Sequence, residues 1–146
     1  MGVVVLLGAV SGCGAYQAAA VPDEAGASRT PVPATTVCAK DAKAVGVPQE
    51  LPAQAALPNG YVVTNVEARS GSRIVVSAVS PREFTATLAD MQRIFSENGW
   101  TMSQGEVEAG DAESNFSGNG VKGRWAIRAI DQCEGNTTVS VVTGPS

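Results

Sequence analysis

From about residue 60 onward, the apolar and polar positions of this chain fall into regular periods. Tyr61-Val62-Val63-Thr64-Asn65-Val66 is β-branched and aromatic and follows the turn dipeptide Asn59-Gly60, so it predicts a strand. Ser70-Gly71-Ser72 reads as a turn and Ile74-Val75-Val76-Ser77-Ala78-Val79 as a second strand, which together predict a hairpin. The period then lengthens. Phe84, Leu88, Met91 and Phe95 recur at spacings of four, three and four, with Ile94 beside them, which is one apolar face of an amphipathic helix. Ser80-Pro81-Arg82-Glu83 offers Ser as N-cap, Pro at the first helical position and Glu three residues after the cap. Asn98-Gly99 supplies a left-handed C-terminal cap. The spacing thus predicts a helix over 81–98 whose Met and Phe stripe packs on a sheet; a stripe lining a ligand pocket is the alternative.

Beyond the helix the period returns to two. Trp100 to Val107 predicts a third strand, Glu108 to Glu113 an acidic turn, and Asn115 to Ser117 leaves room for a short strand before Gly118-Asn119-Gly120. In Val121 to Asp131, Val121, Trp125, Ile127 and Ala129 fall on one face. Lys122, Arg124, Arg128 and Ile130 fall on the other. Such alternation marks an antiparallel sheet with one solvated face. Thr137 to Thr143 is the last strand. The order β-β-α-β-β-β implies an α+β domain: an antiparallel sheet of about five strands with one amphipathic helix across one face.

The first third of the chain has no such period. In Val37 to Leu57, Gly46 and Pro48 break any helix begun at Cys38 to Ala44, which predicts an irregular lead-in. Gly14 to Thr36 is rich in Ala, Pro, Thr and Gly. It cannot bury enough apolar surface to offset its ordering entropy, so it reads as a flexible tether. Its length gives a random-coil span on the order of 25 Å. Val3 to Val10 is an apolar run of eight residues. That is far short of the roughly 20 needed to cross a bilayer, and within the roughly 7–15 of a signal-peptide core.

Small residues and a cysteine follow this run. Val10-Ser11-Gly12-Cys13 resembles the lipobox of bacterial lipoproteins: an aliphatic residue, a small residue, Gly or Ala, then Cys. Met1-Gly2 carries neither Lys nor Arg, so the resemblance rests on the run, the box and the linker, about a tenth of the chain. It implies that residues 1–12 are a signal peptide, that Cys13 carries a diacylglycerol and begins the mature protein, and that residues 13–36 tether a single domain over 37–146 to the outer face of a cell membrane. A short buried strand with Cys13 as a core cysteine is the competing reading. With Cys13 acylated, Cys38 and Cys133 are left of the three cysteines and can form one disulfide in an oxidising compartment. Two free buried thiols are the alternative. The general composition and domain plan also resemble small lipoproteins of high-GC Gram-positive bacteria.

Composition narrows the chemistry. Net charge is -4, from 14 acidic and 10 basic side chains, unlike the basic footprint of a nucleic-acid binder. There is no histidine, which removes the commonest general base and the commonest metal ligand together. Asp111, Glu113, Asn115 and Ser117 alternate as in calcium loops. The required Gly and Glu are missing, since Phe116 and Lys122 stand at the sixth and twelfth positions. Gly118 to Arg124 lacks the spacing of a phosphate-binding loop. A Ser117–Lys122 pair and the carboxylates Glu106 and Glu108 complete no catalytic set. The remaining candidate is a basic stripe of Lys122, Arg124 and Arg128, suited to anionic lipid heads or an acidic partner, or else an ordinary solvated face. These readings predict a non-enzymatic, lipid-anchored extracytoplasmic domain that needs no metal or cofactor. It would bind a partner, without nucleic acid, or support envelope assembly. A small-molecule or lipid-binding module with a pocket between helix and sheet is the second expectation.

Overall fold

A computed structural model describes residues 37–47, 49, 51–52 and 55–146. The segments expected to be a signal peptide and a tether, with Cys13, lie outside the described residues. Among the described residues six strands are present: β1 (Val62–Arg69), β2 (Arg73–Ser80), β3 (Thr101–Glu108), β4 (Asp111–Gly118), β5 (Val121–Ala129) and β6 (Thr137–Pro145). One helix, α1 (Phe84–Glu97), stands between β2 and β3. The strands form one antiparallel sheet in the order β1-β2-β6-β5-β4-β3. The α+β architecture is as expected, with one strand more.

The additional strand is β4, where an acidic turn and a three-residue strand were expected. Its inward positions are Ala112, Ser114 and Phe116, all buried. A small and a hydroxyl residue at alternate positions give little apolar signal, which is why the period is hard to see. The turn is only Ala109-Gly110, with Gly110 at φ 77°. β4 and β5 are joined by Asn119-Gly120, both at positive φ (50° and 74°), the twist-matched geometry that favours this dipeptide in two-residue hairpins.

The helix begins three residues later than expected. Ser80 remains in β2, paired with Thr137 of β6, so it does not cap the helix. Its hydroxyl instead accepts the Arg82 N–H at 3.2 Å and the Thr87 Oγ1–H at 2.9 Å. Glu83 takes the N-cap position, without a side-chain cap. The C-terminal end agrees with expectation. Gly99 has φ 78°, its N–H reaches the Ser96 carbonyl at 3.1 Å, and the Trp100 N–H reaches the Phe95 carbonyl at 3.1 Å. This is the paired closure of a left-handed cap.

The helix covers β5, β4 and β3. Met91 and Phe95 are fully buried, in one cluster with Trp125, Ile127, Phe116, Val139, Val141 and Val76. The Phe95 ring centroid lies 4.7 Å from that of Phe116 and 6.5 Å from that of Trp125. The space beneath the stripe is thus filled by aromatic rings. Each such side chain contributes about 1.5–3 kcal/mol by burial.

The lead-in is more deeply built in than its sequence suggests. After a single 3-10 turn (Ala39–Asp41), the Val45 N–H bonds the Val63 carbonyl at 2.8 Å. Cys38 and Ala39 pack with Val79, Ile130 and Cys133 on one side of the sheet, while Leu51 and Ala55 join the helix-side core. The segment therefore passes from one face of the sheet round the β1 edge to the other. It is fixed at its start by the Cys38–Cys133 disulfide, with Cα atoms 5.4 Å apart.

Candidate functional site

The face of the sheet away from the helix carries the residues of chemical interest. Cross-strand register places Lys122, Arg124 and Arg128 of β5 on this face, opposite Ser117, Asn115 and Asp111 of β4. The three cations do share a face, as the alternation predicted, but they do not form a free stripe. Arg128 donates to Asp111, with its Nε at 2.8 Å from Oδ2, and Arg124 is ion-paired with Glu113. The Arg124–Glu113 pair is largely buried, with side-chain exposures of 16% and 18%. Both acids lie on the strand that the sequence pattern conceals, so their neutralising role is hidden with it. Lys122 has no carboxylate partner among the described residues.

Lys122 and Arg124 join Arg73, at the start of β2, around a pocket of about 420 Å³ at the end of the sheet away from the disulfide. Arg128 lies outside it. Ser103, Gln104, Asn115 and Ser117 supply amides and hydroxyls to its wall, Phe116, Val142 and Pro145 supply apolar surface, and Gly123 and Gly144 complete it. Neither glycine is replaceable by a larger residue without displacement. A Cβ on Gly123 would stand 2.2 Å from the Val142 carbonyl oxygen and 2.3 Å from Phe116 Cζ; one on Gly144 would stand 2.6 Å from Arg73 Cγ. On β3 the register shifts between Ser103 and Glu106, and Gln104 has φ 50°. Such a conformation costs a non-glycine residue on the order of 1–3 kcal/mol. A bulge of this kind re-aims a side chain. Here Gln104 Oε1 accepts from Asn115 Nδ2 at 2.9 Å.

Of the other candidates, Ser117 stands directly opposite Lys122, yet no hydrogen bond joins them among the described residues. Asp111, Glu113 and Asn115 share one strand face, with both acids engaged by arginines. Among the described residues no cluster of three or more Cys, Asp or Glu is arranged to hold a metal ion. At the opposite end, a pocket of similar volume, about 420 Å³, adjoins the disulfide, lined by Lys40, Pro81, Gln132 and Asn136 among others.

A second polar group ties α1 to the sheet. Asp90, 8% exposed, accepts from Arg82 Nη1 at 2.6 Å and from the Tyr61 hydroxyl at 3.2 Å. Burial, more than the nearby Asp90 charge, raises the Tyr61 pKa above its ordinary value. On the exposed β1 surface, hydrogen bonding and charge from Arg69 hold the Glu67 carboxyl below the usual range. Neither group lines the pocket. Searches against protein-family models, curated proteins and solved structures found no match to this chain. No helix among the described residues is long and apolar enough to cross a membrane.

Proposed function

We propose that this chain is a lipid-anchored domain on the outer face of a cell membrane, held through Cys13, that binds a partner or supports envelope assembly without catalysing a reaction. The observation that carries this reading is the Cys38–Cys133 disulfide. Such bridges persist in oxidising compartments, which is where an exported domain resides. The bridge also fastens the domain at the point where the tether sequence ends, and it leaves Cys13 as the unpaired member of three cysteines. Two acyl chains suffice for stable anchoring, since each buried methylene contributes about 0.8 kcal/mol and one myristoyl chain is only marginal. The residue set argues in the same direction: no histidine is available to activate the serines. Cell fractionation of Cys13→Ser tests the reading. The variant is expected in the soluble extracytoplasmic fraction, whereas retention in the membrane pellet overturns the anchor and the location built on it.

A further inference from the structure

The pocket formed by Arg73, Lys122 and Arg124 has a charge and a size that together select a ligand class. We propose that it binds a phosphate monoester of a small polyol or sugar. Three cations line it, and Glu113 neutralises the Arg124 charge. Two positive charges remain, on Arg73 and Lys122, neither of which has a carboxylate partner among the described residues. Two charges match a dianion, which a phosphate monoester is near neutral pH and a carboxylate or phosphodiester is not. Arg73 Nε donates to the Ser70 carbonyl at 3.3 Å, which leaves the two terminal guanidinium nitrogens for phosphoryl oxygens, and the Lys122 ammonium acts as a point charge.

Volume adds the substituent. About 420 Å³ is within the range of small-molecule sites, roughly 300–1,000 Å³, and leaves room beyond a bare phosphate. The remaining wall is mixed: Gln104 and Asn115 amides with Ser103, Ser117 and Thr143 hydroxyls, beside Phe116, Val142 and Pro145. The amides and hydroxyls suit hydroxyls on the ligand, and the apolar residues suit the carbon skeleton that carries them. Gln104 reaches this wall only because β3 bulges, at positive φ, beside the pocket. The inference concerns the domain alone and stands or falls independently of the Cys13 anchor.

Calorimetric titration of the full chain tests it with two probes. Glycerol 3-phosphate is a monoester, and glycerophosphoglycerol is the diester found in an anionic lipid head. The monoester is expected to bind at least about tenfold more tightly than the diester. Arg73→Gln and Lys122→Gln are each expected to weaken monoester binding by about tenfold, and Lys40→Gln, at the far end of the sheet, to leave it unchanged. Arg73→Gln keeps the Cγ that packs over Gly144. The comparison of the two esters needs no variant, so it holds even if a substitution disturbs folding. No monoester binding up to about 10 mM, diester binding as tight or tighter, or equal losses in Lys40→Gln would each overturn the proposal.

Discussion

Replacing both Cys38 and Cys133 by Ala isolates the contribution of the cross-link. The two residues are 95 apart in sequence. The chain-entropy relation then gives about 4.7 kcal/mol of stabilisation, by restricting the unfolded chain. Unfolding entropy of about 2.1 cal/mol/K per residue, over the roughly 110 residues from 37 to 146, is about 0.23 kcal/mol/K. The expected fall in Tm is therefore about 20 °C. Cys133 is buried beside Val79 and Ile130, so the Ala variant also loses some packing. Reduction of the native chain removes the covalent bond but keeps both sulfurs, which separates the two effects. Thermal melts by circular dichroism should show oxidised protein far above both reduced protein and the double variant. The denaturant m-value should rise in both, because an uncross-linked chain exposes more surface when unfolded. If reduced protein melted within about 5 °C of oxidised protein, the entropic argument would fail. If only the Ala variant were destabilised, packing rather than the cross-link would be responsible.

Gly123→Ala should destabilise by about 3 kcal/mol, because the new methyl meets the Val142 backbone oxygen at 2.2 Å and a carbonyl held in the β5–β6 ladder cannot turn away. Urea titration checks this, and a loss under about 1 kcal/mol would mean the ladder yields freely. Phe95→Ala, at the contact with Phe116 and Trp125, should cost about 3–5 kcal/mol in the same assay; a cost near that of a surface substitution would contradict the packed helix–sheet interface. Tyr61 has a raised pKa in the folded state. Its contribution is therefore complete below the unfolded value of about 10 and is lost as pH rises through the folded one. Tyr61→Phe should accordingly flatten the stability–pH curve in that alkaline window, and an unchanged slope there would be evidence against the shift.

The parts of the fold legible in the sequence are those in which burial follows a clean period. β2, β5 and α1 alternate or repeat with large apolar residues, and Asn98-Gly99 ends the helix by local chemistry alone. β4 was concealed because Ala112 and Ser114 are buried without being strongly apolar, and because Asp111 and Glu113 resemble turn acids. They are cross-strand partners of arginines instead. The same gap explains the basic stripe. Its three members could be placed on one face from β5, but their neutralisation required knowing what lies opposite. Arg73 could not be joined to Lys122 and Arg124 at all, since β2 reaches β5 only through β6, the last strand of the chain. Ser80 misled for a related reason: its sequence context is that of a cap, and its ladder partner Thr137 is 57 residues away.

The two ends of the face away from the helix are built on opposite terms. At one end Cys38, Ala39, Val79, Ile130 and Cys133 form a small apolar cluster, closed by a covalent bond. At the other end the sheet accepts several unfavourable features together. Gln104 sits at positive φ, the strand positions of Gly123 and Gly144 leave no room for a side chain, and Arg124 and Glu113 are taken largely out of water. A buried ion pair of this kind is frequently no better for stability than an apolar pair of similar volume. Arg73 and Lys122 add two cations without carboxylate partners among the described residues, where like charges repel. Each feature alone is tolerable in a sheet of six strands. Their convergence on one pocket is hard to account for by folding, because local departures from stability tend to concentrate where a site needs them. An anionic ligand would relieve the charge repulsion and meet the amide that the β3 bulge turns toward it.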